Sequence, residues 1–203
     1  MKKNRISKNW INKHRRDIYV RRSKVDGYRS RAAYKLMEID EKFKILKNGI
    51  SVIDLGAAPG SWSQYLSKKI KNSKIVSIDL KQMEAINNTI QILGDFTEEK
   101  NQSKIKEFFK SNVDVVLSDM AVNTTGNKNI DSIYTGELCM EAMLFSKKIL
   151  NNDGKFVSKI FMGSTFNEII AKAKLIFKKV KVFKPKSSKK DSKESFIICE
   201  SLR

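Results

Sequence analysis

The chain has 203 residues, 40% of them apolar, which is enough for one α/β domain with a full hydrophobic core and too short for two comfortable ones. No apolar run approaches the ~18–20 residues that cross a bilayer, and no apolar stretch of the secretory kind follows the basic N-terminus, although its Lys/Arg-rich, acid-poor start leaves an organellar transit peptide open. The formal net charge is +19, a balance that points away from basic partners and toward polyanions.

Residues 1–26 are polar and basic, with scattered Trp10, Ile11, Ile18 and Tyr19. They read as a partly helical arm that orders on binding, ahead of a single domain over 27–203. Residues 1–35 hold 13 Lys/Arg against Asp17 and Asp26, and residues 172–193 hold 10 Lys against Asp191. The charge therefore sits at the two ends of a near-neutral core. Such clusters bind phosphates by releasing counterions; solvated lysine in a Lys/Asn/Ile-rich chain is the plainer alternative. An anionic membrane surface lacks its amphipathic insertion helix.

From Ser30, a plausible N-cap, the pattern turns helical, with Ala32, Leu36, Ile39 and Phe43 at helical spacing. Ser51–Leu55 is a buried strand, and Gly60–Lys69 a helix after a Gly/Ala/Pro turn. Lys74–Asp79 and Thr89–Leu93 are strands, Ser103–Lys110 is helical, and Val113–Ser118 is strongly strand-like. Tyr134–Leu150 is a long amphipathic helix closed by Asp153-Gly154. Lys155–Phe161 is a strand and Thr165–Phe177 a helix, and Val180–Phe183 and Ser195–Glu200 complete the set. This alternation predicts an α/β, Rossmann-like fold: a mostly parallel seven-stranded sheet with helices on both faces, binding its ligand beyond the carboxyl ends of the strands. Cys139 and Cys199 fall in segments that read as core. No metal-ligand spacing surrounds them, and His14 is the single histidine. No metal is expected, and a reducing cytoplasm is the natural compartment.

The segment Val52-Ile-Asp-Leu-Gly-Ala-Ala-Pro-Gly-Ser-Trp62 follows a strand and enters a helix. Gly56 and Gly60 let the backbone approach a ligand, and Asp54 stands just before the turn. A dinucleotide loop requires glycine where Ala58 stands, and a P-loop requires Gly-Lys-Ser/Thr where Gly60 is followed by Ser61-Trp62. One acid, spaced glycines and no lysine suit a cationic ligand without phosphate, such as S-adenosylmethionine. Asp79 ends the next strand, where an acid commonly holds ribose hydroxyls. Asp95 follows the third strand, where a carboxylate can accept from an adenine amino group.

Four more polar residues occupy unusual places. Lys35 lies within the apolar stripe of its helix, where it either snorkels or meets a partner. Asp119 ends the strand 113–118, Glu194 opens the strand 195–199, and Lys159 interrupts the apolar run Phe156–Phe161. A lysine in mid-strand needs a carboxylate or a water-filled cleft.

Gly27-Tyr-Arg-Ser-Arg-Ala-Ala-Tyr-Lys-Leu36, Asp54-Leu-Gly-Ala-Ala-Pro-Gly60 with Trp62-Ser-Gln64, Ser118-Asp-Met-Ala121 with Asn123, Lys159-Ile-Phe161, and Lys184-Pro-Lys-Ser-Ser188 followed by Glu194 resemble the FtsJ family of ribose 2′-O-methyltransferases from about residue 20 to the C-terminus. The resemblance implies a Lys-Asp-Lys-Glu catalytic tetrad at Lys35, Asp119, Lys159 and Glu194. It implies S-adenosylmethionine held by Gly60, Trp62, Asp79 and Asp95, with Asp119 near the transferred methyl. The substrate it implies is a uridine of large-subunit (23S) ribosomal RNA in an assembled 50S subunit; a monomer is expected, although nothing in the sequence fixes the oligomeric state. Ser61 stands where the family usually has Gly, Val122 where it has Pro, and lysines where arginine is common before Glu194. On this reading Lys159 either removes the 2′-hydroxyl proton or stays charged and steadies the developing oxyanion. A tRNA anticodon-loop methyltransferase, a non-catalytic ribosome assembly factor and a nicotinamide oxidoreductase are the alternatives. The absent G-x-G-x-x-G speaks against the last.

Overall fold

The computed structural model describes residues 17–121, 128–189 and 191–203. Within these, seven strands form one sheet: β1 (Ser51–Leu55), β2 (Lys74–Asp79), β3 (Thr89–Leu93), β4 (Val113–Ser118), β5 (Leu150–Phe161), β6 (Phe177–Phe183) and β7 (Glu194–Leu202). Their order is β3-β2-β1-β4-β5-β7-β6. The pairs from β3 through β5 are parallel, and β7 runs antiparallel between β5 and β6. The helices are α1 (Ile18–Val25), α2 (Ala32–Phe43), α3 (Ser61–Lys69), α4 (Glu99–Phe109), α5 (Lys128–Ile149) and α6 (Phe166–Ile176).

The sheet is buried on both faces, and strand parity divides its side chains between two cores. Ile53, Leu55, Val116, Phe156, Ile160, Ile197 and Cys199 pack with α4, α5 and α6. Val52, Val115, Leu117, Val157, Phe196 and Ile198 pack with Leu36 and Ile39 of α2 and Trp62, Tyr65 and Leu66 of α3. Cys139 and Cys199 are both buried in the first core as free thiols, and burial pushes the Cys139 thiol up to about 12. The chain leaves β1 toward β2 and β3, then returns to β4 on the other side of β1. The crevice beyond the carboxyl ends of β1 and β4 is thus the topological switch point.

Several strand and helix boundaries differ from the sequence reading. The N-cap of α2 is Arg31, not Ser30; Ser30 Oγ nonetheless accepts the Ala32 N–H at 3.2 Å and lies 2.7 Å from Ser61 Oγ. α4 starts at Glu99, because its first turn is polar and carries no apolar period. α5 starts at Lys128 and runs directly into β5, so Asp153-Gly154 does not close the helix. That dipeptide lies within β5, where the pairing slips from Val113↔Leu150 to Val115↔Lys155. β6 begins at Phe177, which buries against the first core.

Of the segment read as an arm, residues 1–16 lie outside the described residues, as do Val122 and Asn123. Residues 17–26 hold α1 against the domain. Asp17 caps it, accepting the Tyr19 N–H at 3.0 Å, and pairs with Arg31; the Tyr19 and Tyr34 rings lie 5.4 Å apart.

Candidate active site

A cavity of about 510 Å³ opens at the switch point. Asp79, Asp95 and Asp119 contribute carboxylates to its wall, Gly56 and Gly94 contribute backbone, and Ile78, Phe96, Met120 and Leu138 an apolar lining. Asp79 Oδ2 accepts the Ala58 N–H and Oδ1 the Lys81 N–H, so this carboxylate organises the loop after β1. Asp95 directs one oxygen, Oδ1, to both the N–H and the hydroxyl of Thr97. Three carboxylates outnumber the single lining lysine, Lys81, and a cavity so rimmed, partly apolar and without a lysine-bearing phosphate loop, fits a cationic adenosine derivative.

Three of the seven residues expected to hold the cofactor do not line this cavity. Trp62 is buried, donates its indole N–H to Ala32 O at 2.8 Å and packs on Phe196. Gly60, at φ +106°, caps α3, and a Cβ there would come within 2.6 Å of Arg29 Nη1 and 2.8 Å of Ile86. Asp54 is fully buried beneath the loop and accepts the Ser63 hydroxyl at 2.6 Å, which in turn lies 2.6 Å from Ser77 Oγ. Burial, with Asp119 and Asp79 adding repulsion against the Ser63 hydrogen bond, pushes the Asp54 carboxyl up to about 7. Gly56 does reach the cavity. Its φ is +68°, and a Cβ would fall 2.1 Å from Met120 Cγ, so glycine lets the residue after Asp119 close over the loop.

The four other flagged residues meet at the rim. Parity explains two of them: Lys159 shares a face with Val157, and Glu194 with Phe196, so both turn toward α2. Lys35 comes from α2 beside Leu36, and Asp119 follows the carboxyl end of β4. Lys35 Nζ lies 2.9 Å from Glu194 Oε2 and 3.5 Å from Asp119 Oδ2. Lys159 Nζ lies 3.2 Å from Asp119 Oδ1 and donates to the Asp119 carbonyl at 2.6 Å. Lys35 therefore has the carboxylate partners that a snorkelling lysine lacks. Burial opposes its charge, but Asp119 and Glu194 outweigh that and hold the ammonium above its ordinary value. Burial likewise opposes charge on Asp119, and Lys159 and Lys35 outweigh it, holding the carboxyl below its ordinary value.

The supports of this cluster are not visible in the sequence. Ser188 donates to Glu194 Oε1 at 2.7 Å, so both Glu194 oxygens are engaged. Glu38, one turn past Lys35, accepts the N–H groups of Lys186 and Ser187. Arg31 donates to the Ser187 carbonyl and pairs with Asp17. The segment Lys184–Ser188 stands out in the sequence only as a motif; nothing in its spacing shows that α2 receives its backbone. Among the described residues, no helix is long and apolar enough to cross a membrane, and no group of side chains is arranged to hold a metal ion.

The chain matches the family of FtsJ-like methyltransferases over residues 28–202. It is 74% identical over 203 residues to the ribosomal RNA large subunit methyltransferase E of Pelagibacter ubique, covering 100% of both chains. It is 46% identical over 198 residues to the protein of the same name in Rickettsia bellii, covering 95% of this chain and 87% of that one. A crystal structure of a Plasmodium falciparum ribosomal RNA methyltransferase superposes with a TM-score of 0.77 at 34% identity, over 86% of this chain and 98% of the other.

Proposed function

This chain belongs to the FtsJ-like methyltransferase family, and from that premise we propose that it methylates a ribose 2′-hydroxyl of a uridine in large-subunit (23S) ribosomal RNA, using S-adenosylmethionine as donor and the assembled 50S subunit as substrate. The observation that carries this reading is the junction of two sites at one residue. Asp119 lines the cavity and also binds both Lys35 and Lys159.

When bound, S-adenosylmethionine supplies a methyl already activated on sulfur, so the protein has to position the hydroxyl and take one proton. Asp79 and Asp95 serve as acceptors for the ribose hydroxyls and the adenine amino group. Gly56 opens the backbone to the ligand, while Gly60, Trp62 and Asp54 set the loop's shape from behind. Lys35 and Asp119 are locked in their charged forms by each other and their neighbours, and Glu194 is saturated by Lys35 and Ser188. Lys159, held at Asp119 by the bond to its carbonyl, is the member assigned to the 2′-hydroxyl. With the donor bound, Lys159 Nζ would take the hydroxyl proton and afterwards release it to water. Lys35 and Glu194 position Asp119, which holds Lys159.

The test is transfer of radiolabelled methyl to 50S subunits from a methylation-deficient strain, with naked ribosomal RNA and tRNA alongside. Label on 50S RNA at one alkali-resistant linkage is the expected result. Label on tRNA alone would move the protein to another substrate, and no label with the donor still bound would remove the enzymatic reading.

A further inference from the structure

The lysine-rich stretch 172–193 contributes one strand, β6, to the sheet's outer edge. Parity sorts its side chains. Val180 packs with the first core, whereas Lys179, Lys181 and Phe183 alternate onto the α2 side, opposite Glu200, Ile198 and Phe196 of β7. There they meet the last turn of α2. Phe43 and Phe183 are half-buried with ring centroids 5.6 Å apart. Lys42 Nζ sits 4.4 Å over the Phe183 ring, and Lys181 Nζ 5.7 Å from that of Phe43. Lys155 extends the row across β7, with Glu200 between it and Lys179. Lys42, Lys179 and Lys181 are exposed.

Phe196, itself buried, packs between this patch and the tetrad. Lys35 Nζ lies 5.6 Å over the Phe196 ring, and Phe196 is the register partner of Phe183. Lys42 follows Lys35 by seven residues, two helical turns or about 10 Å along α2. Glu200 lies between Lys155 and Lys179 and offsets part of their charge, but the acids beside Lys42 are turned elsewhere. Glu38 is engaged by the backbone of Lys186 and Ser187, and Glu41 is turned about 100° around the helix from Lys42.

Edge strands often carry lysine merely to prevent edge pairing. That purpose requires neither aromatic rings nor a cation from a helix, and this patch has both. Exposed cations stacked on half-exposed rings match a polynucleotide, which offers phosphates to the one and base faces to the other.

We infer that the face formed by Lys42, Phe43, Lys179, Lys181 and Phe183 is a docking surface for the RNA strand flanking the modified nucleotide, leading it across α2 and the β6 edge into the tetrad. This rests on the RNA methyltransferase reading above and extends it to a surface that the chemistry does not touch.

The experiment compares the full-length protein with Lys42→Glu/Lys181→Glu and with a control, Lys104→Glu/Lys106→Glu, which changes net charge equally on exposed positions of α4. Methyl transfer to 50S subunits and binding to a ribosomal RNA fragment are measured across a potassium chloride series, with donor affinity and thermal unfolding read on each protein. The patch variant is expected to raise KM for RNA about tenfold with kcat at saturation little changed, the signature of weakened ground-state binding. The slope of log affinity against log salt should fall by about 2, roughly one for each phosphate no longer neutralised. Lys42→Gln/Lys181→Gln, which removes charge without reversing it, should show a smaller change of the same kind and serves if the reversal disturbs folding. Unchanged KM and slope in a folded patch variant would overturn the inference, as would an equal loss in the α4 control. A wild-type protein that neither binds nor methylates RNA would instead remove the reading on which it rests.

Discussion

At the scale of single residues, the proposed mechanism separates groups that touch the reaction from groups that hold them. Lys159→Ala is expected to lower methyl transfer by about 10²–10⁴, the range of a lost general base, while titration still finds donor binding. Normal turnover by that variant would exclude Lys159 from the chemistry. Asp54 gives a stability prediction. Its folded carboxyl sits at about 7 against an ordinary 3.8, so the protonated form is favoured in the fold. The corresponding contribution is full below about pH 4 and is lost as pH rises toward about 7, a change on the order of 4 kcal/mol. Asp54→Asn, neutral at every pH, should therefore gain stability relative to wild type as pH rises from 4 to 7.5. Urea unfolding at both ends of that window checks it, and a constant difference would mean that Asp54 ionises normally. Single-residue legibility was uneven. The sequence identified Lys159 as a cation in an apolar strand, because a lone charge there demands a partner. It gave no role to Ser188 or Arg31, which stood only within quoted motifs and whose bonds span six residues at one end and 156 at the other.

At the scale of elements, α2 does more than cover the sheet. One stripe of it supplies Arg31, Lys35, Glu38 and Lys42, which respectively hold α1, join the tetrad, fix the 186–187 backbone and face Phe183. The i, i+4, i+7, i+11 spacing is a helical stripe, so any shift of α2 would be felt at all four. α1 is tied to this stripe through Asp17. Asp17→Ala removes both a cap and an ion pair and should destabilise α1 by about 1–2 kcal/mol. Amide exchange should rise over residues 18–25 and remain unchanged in β1 and β4; uniform protection would show that the cap does not anchor the helix. Four strands were legible to the residue, because a short apolar run between turn residues has sharp ends. The α5–β5 junction was not, since a helix passing straight into a strand leaves no turn, and Asp153-Gly154 imitates a stop.

At the scale of the whole molecule, the +19 charge is held by the chain's two ends, and the fold brings at least one of them to the site's side of the sheet. Binding to ribosomal RNA should weaken steeply with salt. Removing residues 1–16, which carry seven Lys/Arg, should reduce the slope of log affinity against log salt by at least about 2, with donor binding unchanged. An unaltered slope would show that this segment does not meet the phosphates. The sequence by itself determined the strand–helix alternation, the glycine loop after β1 and the four charged residues out of place, because periodicity, backbone permissiveness and buried charge are local demands legible one segment at a time. The family resemblance implied that Lys35, Asp119, Lys159 and Glu194 act together, but only the tertiary structure decided that both lysines pair through Asp119, and that Asp54 and Trp62 stand behind the cavity instead of lining it. The tertiary structure also decided that Lys181 of β6 reaches Phe43 of α2. Those outcomes depend on which strand lies beside which and which face each side chain takes, and a two-residue period read along one strand cannot say which face another element will cover.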